Sequence, residues 1–184
     1  VDKMMVKGLD TVRSSFPTAM KEMLSKVLDD ILMDVPKEQL DKFIINFKNS
    51  MKLMDFNKIA IPTSVKGIKK YRVKDGNLFN SYKLGTPVHV KSAIFYNDLL
   101  KHLKVSKRYS EIFDGEKIMW VYLKPNPIGL QTIAYKGYED PPEILDFIRK
   151  FINPSKLHKK IMMFYQALNW DEPTDASKTI ERFF

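Results

Sequence analysis

Gly115-Glu-Lys-Ile-Met-Trp-Val-Tyr-Leu-Lys-Pro-Asn-Pro-Ile-Gly-Leu-Gln-Thr-Ile-Ala-Tyr135 is the segment of this chain that reads most clearly as paired strand. Lys117–Leu123 is β-branched and aromatic, Pro125-Asn-Pro-Ile-Gly129 is a strong turn signal, and Leu130–Tyr135 returns, so a β-hairpin is predicted over 117–135. Outward from it the periodicity becomes helical. Pro141-Pro142 opens a helix to about Phe151 bearing Ile144, Leu145, Phe147 and Ile148, and a last helix over 154–169 carries Leu157, Ile161, Phe164, Tyr165 and Leu168. On the other side, Pro87 opens a helix to about Leu103. Its Ile94, Leu99, Leu100 and Leu103 are predicted to face inward, leaving His89, Lys91, Tyr96 and Lys101 for other faces.

Further out, residues 17–33 place Met20, Met23, Leu24, Val27, Leu28 and Ile31 at helical spacing. Asp34-Val-Pro36 breaks the chain, and a second helix runs to about Met54 with Leu40, Phe43, Ile44, Phe47 and Met51 as its stripe. So short a connection favours an antiparallel helical hairpin. After Ile59-Ala-Ile-Pro62, Gly67, Gly76-Asn77, Asn80 and Gly85 mark loops or a short hairpin, and Asp171–Ser177 is a polar tail. The fold class is therefore α+β and mainly helical: a helix bundle with a small antiparallel β element.

The chain has 184 residues, is 44% hydrophobic and 12% aromatic, and so has the composition to bury a core. It has no cysteine, which excludes disulfides and thiolate metal sites and favours a reducing intracellular setting. No apolar run approaches the ~20 residues needed to span a bilayer, so no membrane association is expected. The chain opens on Val1, from which we expect a processed product or a piece of a longer chain.

The formal charge of +9 is local. From Lys66 to Lys117 there are twelve basic residues and five acids, a net +7, whereas residues 1–65 and 118–184 each net +1. Interleaved with Tyr71, Tyr82, His89, Tyr96 and Tyr109, this block suits a polyanion. A solvated lysine-rich surface and an acidic protein or membrane surface remain as alternatives.

Catalytic signatures are missing. His89, His102 and His158 match no zinc spacing, and there is no phosphate-binding glycine loop, nucleophile elbow or thiol. Asp29-Asp30 reads as solvated carboxylates, and Glu139-Asp140 as a complement to the positive N-terminus of the next helix. No metal site is expected. The C-terminal Ser177-Lys-Thr-Ile180-Glu-Arg-Phe183-Phe184 places one aliphatic and two aromatic side chains on a single turn. Such a plug either fills a partner's pocket, the reading favoured here, or folds back on its own domain.

Three internal segments and this tail carry a resemblance. Lys7-Gly-Leu-Asp-Thr-Val-Arg-Ser-Ser-Phe-Pro17 resembles the palm-to-thumb passage of family B DNA polymerases. Thr86-Pro-Val-His-Val-Lys-Ser-Ala-Ile-Phe-Tyr-Asn97 and Gly115–Gly129 are similar to the thumb of T-even bacteriophage replicative polymerases, whose C-terminal peptide docks on the sliding clamp. The resemblance runs in order from about residue 4 to 184. It implies a junction over 1–16, a thumb over 17–170 and a tail with a clamp-type peptide over 171–184. Within the thumb it implies a helical base from 17–54 and 141–169, a DNA-facing region over 66–117 and the hairpin over 117–135.

The implied function is to hold primer–template duplex through phosphate and minor-groove contacts and to dock on a sliding clamp. The implied DNA contacts are Lys69, Lys70, Lys83, His89, Lys91, Tyr96, Asn97 and Lys117, with Lys66, Lys104, Lys107 and Arg108 widening the positive field; the clamp contacts are Ile180, Phe183 and Phe184. The family's catalytic carboxylates, fingers and exonuclease lie upstream of anything present. The palm's Lys-Lys-Arg-Tyr is absent, since Lys69-Lys70-Tyr71-Arg72 differs in order and lies downstream of Gly8-Leu9, and Ser177 replaces the glutamine of many clamp peptides. The resemblance thus implies part of a nucleotidyltransferase that is inactive alone, with no cofactor of its own, because Mg2+ would go with the palm. Its partners would be duplex DNA, the clamp and the remaining polymerase, on the same or a separate chain, in the cytoplasm of a phage-infected bacterial cell. The alternative is a free-standing basic nucleic-acid-binding adaptor unrelated to polymerases.

Overall fold

The computed structural model describes residues 16–157, 162, 165–166 and 169–171. The chain divides into two units, residues 1–54 with 155–184, and residues 55–154.

In the first unit, α1 (Thr18–Leu32) follows Pro17 and buries Ala19, Met20, Met23, Leu24 and Val27, the predicted stripe. It ends where Asp34 turns to φ +55°, a left-handed conformation that aspartate tolerates better than most residues. The Val35 N–H then reaches back to the Asp30 carbonyl at 3.0 Å. After Pro36, α2 (Lys37–Ser50) buries Leu40 and Ile44, and a 3-10 turn, Met51–Leu53, completes the predicted span. Lys26 of α1 lies 5.2 Å from the centre of the Phe43 ring of α2, so the two helices meet across their short connection. Half of the predicted helix over 154–169 lies outside the described residues; its start, Pro154–Leu157, is a 3-10 turn.

The second unit is built around a sheet. A one-turn helix α3 (Phe56–Ile59), capped by the Asp55 carboxylate on the Asn57 N–H, leads into β1 (Ile61–Ser64). β2 (Lys117–Tyr122) and β3 (Thr132–Tyr135) form the predicted hairpin, pairing Met119 with Tyr135 and Tyr122 with Thr132. The sheet has a third member, since β1 pairs antiparallel with β2 from Ile61↔Trp120 to Ser64↔Lys117. Pro62 lies within β1, and an edge strand is where a residue without an N–H is tolerated.

All four residues of β3 are buried. Thr132 meets Ser92 of α5 (Val88–His102) at 2.7 Å, while Tyr135 packs edge-on against Phe56 with ring centres 5.3 Å apart. Alternate residues of the strand thus serve opposite faces. The helix α6 (Pro142–Phe151), expected in the helical base, belongs instead to this unit and contacts β3.

The α5 helix is the centre of the unit. Every residue from Ser92 to Leu100 is buried, so this helix is enclosed on all sides rather than striped. Its three buried polar residues therefore need partners. Ser92 bonds Thr132; Asn97 donates to the Ile112 carbonyl (3.0 Å) and accepts from the Ile112 N–H (2.7 Å). Asp98 accepts from the Phe79 N–H (2.9 Å) and the Ser81 hydroxyl (3.1 Å) and lies 3.5 Å from Arg72 Nη2.

Asn97→Ala removes both partners of a buried peptide group. It is expected to lower stability by about 2 kcal/mol, read as an earlier urea midpoint, whereas Lys70→Ala should change it by less than about 0.5 kcal/mol. Equal midpoints for the two variants would show that the Ile112 anchor is dispensable.

Candidate nucleic-acid interface

Lys69 and Lys70 stand on a single helical turn, α4 (Ile68–Tyr71), whose entry is fixed from far along the chain. Asp114 accepts from the backbone N–H groups of Gly67 (2.7 Å), Ile68 (2.7 Å) and Lys69 (3.2 Å). These are the amides a helix start leaves without partners, and a carboxylate is their natural acceptor. Burial alone would raise the Asp114 pKa, but the three amides and the Lys69 charge outweigh it and hold the group below its ordinary value. Gly67 turns at φ +108°, and a Cβ there would stand 3.1 Å from the Tyr71 ring, so glycine is required on both counts.

Beyond α4 the chain folds into a small hairpin. Arg72 pairs antiparallel with Tyr82, the Val73 N–H donates to the Ser81 carbonyl (2.9 Å), and the Lys83 N–H donates to the Tyr71 carbonyl (2.8 Å). The Lys83 ammonium donates to the Lys70 carbonyl at 2.8 Å, so these two lysines are neighbours. Asp98 pins this hairpin to α5. Lys91, on the second turn of α5, lies 4.5 Å from the centre of the Tyr82 ring, itself edge-on to Phe95. The β1–β2 register sets Lys117 opposite Ser64, and Val65 bonds both Gly115 and Glu116 through its backbone. The backbone of Lys117 therefore adjoins the segment that leads into Lys66 and α4.

The acids of the basic block are mostly occupied by structure. Asp98 serves the hairpin and Asp114 the start of α4. Glu111 lies 3.8 Å from Lys101 and 4.0 Å from Arg72, and Glu116 accepts from the Phe113 N–H at 2.6 Å and pairs with Lys136 at 3.5 Å. Of the block's bases, Arg72 and Lys101 share in these pairs. Among the described residues Lys66, Lys69, Lys70, Lys74, Lys83, Lys91, Lys104, Lys107, Arg108 and Lys117 pair with no acid.

Lys69, Lys70, Lys83 and Lys117 are exposed, as are Lys66, Lys104, Lys107 and Arg108; Lys91 and His89 are half-buried. Burial lowers the His89 pKa, so at neutral pH this side chain is an uncharged hydrogen-bonding group. Two of the expected contacts are corrected. Tyr96 and Asn97 are buried in the core, because α5 is enclosed on the side that an amphipathic reading left to solvent. Asn97 is spent on Ile112, and the Tyr96 hydroxyl lies in the interior beside Asp140, where burial and that carboxylate raise its pKa. They form no part of an exposed surface.

Asp140 is corrected as well. It accepts from the Lys136 and Gly137 N–H groups, both at 2.7 Å, and so closes its own turn rather than capping α6. Asp30 pairs with Lys26 at 3.1 Å on the surface of α1, and no metal-binding cluster occurs among the described residues. Nor is any helix among them long and apolar enough to cross a membrane. Ile180, Phe183 and Phe184, and residues 1–15 of the junction, lie outside the described residues. The organising carboxylates Asp98 and Asp114 have no motif in the sequence to announce them.

No family model matches the chain. Over 157 residues, 84% of its length, it is 29% identical to the DNA-directed DNA polymerase of Enterobacteria phage T4, of which the match covers 16%. The chain is thus similar to a small portion of a phage polymerase, in keeping with the motif resemblance.

Because its pKa is depressed on folding, Asp114 contributes stability above the ordinary carboxylate value of about 3.9, and loses it as pH falls through the folded value. Urea midpoints measured from about pH 5 downward should therefore fall less steeply for Asp114→Asn than for the unaltered chain. Parallel curves would show that the amide cage does not hold the carboxylate ionised.

Proposed function

We propose that this chain is the thumb portion of a phage-type DNA polymerase, holding primer–template duplex by its phosphates. The observation that carries the reading is the sorting of charge: the block's acids, Asp75 apart, are tied to backbone amides and neighbouring cations, while its lysines other than Lys101 make no ion pair among the described residues. Phosphate contact asks for point charges on short, well-supported segments, and the counterions they release supply the affinity. Lys69, Lys70, Lys83, Lys91 and Lys117 serve as those charges, with neutral His89 as a hydrogen-bonding neighbour. Such a surface holds duplex whatever its sequence, as a polymerase moving along a template must.

The similarity to the T4 polymerase supplies the context. In this reading the nucleotidyl-transfer chemistry, with its carboxylates and Mg2+, belongs to a palm on the same or a separate chain, and this portion works in the cytoplasm of an infected bacterium. The C-terminal Ile180, Phe183 and Phe184 dock on a sliding clamp, tethering the enzyme to DNA.

Changing Lys69, Lys70, Lys91 and Lys117 together to Ala should lower the slope of log affinity against log salt by about 3 to 4 for duplex DNA, since each phosphate contact contributes about 0.9. Two duplexes of unrelated sequence should respond alike. Unchanged affinity would remove this surface from consideration, and strong preference for one sequence would favour an adaptor. For the tail, Phe183→Ala with Phe184→Ala should abolish capture by the phage clamp at constant melting temperature; a lowered melting temperature would show the aromatics packing on their own domain.

A further inference from the structure

A cleft of about 480 Å3 opens in the second unit, lined by Arg108, Tyr109, Ser110, Lys136, Tyr138 and Asp140, with Glu139 and Pro142 beside them. Lys136 is its unusual member, because its side chain is only 5% exposed. A buried ammonium has three N–H donors to satisfy. Its ammonium donates to the Ser110 hydroxyl oxygen at 2.8 Å, lies 3.5 Å from a Glu116 oxygen and stands 5.9 Å from the centre of the Tyr138 ring, so at most one hydrogen is left for a ligand. Ser110, having accepted from Lys136, keeps its own proton to donate. Arg108 makes no ion pair among the described residues and lies 6.0 Å from the centre of the Tyr109 ring.

Arg108, Ser110 and Lys136 therefore line one cleft as three hydrogen-bond donors. Asp140 keeps its negative charge there while its oxygens accept from the Lys136 and Gly137 amides, and Glu139 adds a second carboxylate, so an anion in the cleft would be held by directed hydrogen bonds rather than by net positive charge. Tyr138 is 57% exposed, an aromatic ring left to solvent beside these donors. Glu139 and Gly137 hold its turn at φ +49° and +87°. Oxyanion donors beside an exposed ring are what a phosphate joined to a planar base requires.

We propose that this cleft binds a nucleoside phosphate, with the phosphate on Arg108, Ser110 and Lys136 and the base stacked on Tyr138. The occupant is a free nucleotide or an unpaired nucleotide of a strand, which share this chemistry. The site shares no residue with the proposed duplex contacts Lys69, Lys70, Lys83, His89, Lys91 and Lys117, although Arg108 belongs to the same basic block, and it stands whether or not those residues hold duplex.

The test titrates the full chain into fluorescently labelled AMP, a short 5′-phosphorylated single-stranded oligonucleotide, and a blunt duplex. Saturable binding of AMP, or of the single strand alone, is expected, the first outcome identifying a free nucleotide and the second a strand. Tyr138→Ala and Arg108→Ala should each weaken that binding about tenfold at unchanged melting temperature, and Glu139→Gln should tighten it. The combined Lys69, Lys70, Lys91 and Lys117 variant should keep AMP binding while losing duplex. No saturable binding of either ligand, or binding indifferent to both Tyr138→Ala and Arg108→Ala, would overturn the proposal.

Discussion

A carboxylate shut away from water must be met by donors, and Asp98 is met by three from 17 to 26 residues earlier in the chain: the Phe79 amide, the Ser81 hydroxyl and, more loosely, the Arg72 guanidinium. Ionised and unmet, it would cost several kcal/mol in that interior. The hairpin between Tyr71 and Lys83 therefore lies where Asp98 requires it. Lys83 reaches the Lys70 carbonyl because of that placement, and Lys91 meets the ring of Tyr82. Ser92 and Asn97 act on β3 and on the Ile112 segment in the same way. One enclosed helix thus holds three neighbours through polar groups, and the apolar residues between them fill the core.

The same arrangement governs the electrostatics. Lysines crowded on one surface repel one another, and the usual relief is interspersed acids. Here Asp98, Glu111, Asp114 and Glu116 lie in the block by sequence, yet each is drawn into local architecture. The mutual repulsion of the lysines is thus not relieved by those acids, which is the condition under which an external polyanion would bind favourably. Held to backbone carbonyls and aromatic rings, Lys83 and Lys91 also have less freedom to lose on binding than lysines on open solvent. Under the proposed function that polyanion is duplex DNA.

Periodicity and turn chemistry made the two N-terminal helices, α5, α6 and the β2–β3 hairpin legible to within a residue or two. The edge strand β1 was not, because four residues interrupted by Pro62 carry no alternation to read. Nor was the full enclosure of α5. Ser92, Asn97 and Asp98 look like a solvent face until their partners, 15 to 40 residues away, are brought to them by the fold. The same enclosure removes Tyr96 and Asn97 from the contact surface that the resemblance implies. The lysines themselves were plain in the composition. What sequence could not show was which acids would be taken from among them, since Asp114 meets amides 45 to 47 residues away.

The central claim is that duplex DNA lies on the surface organised by Asp98 and Asp114. The most direct measurement is a titration of the isotopically labelled chain with a short duplex, followed through its backbone amide resonances. Duplex on that surface would give the largest shifts at 66–71, 82–91 and 117, with the core amides of α5 little moved. Shifts confined to α1 and α2, or spread evenly over every exposed lysine, would contradict it.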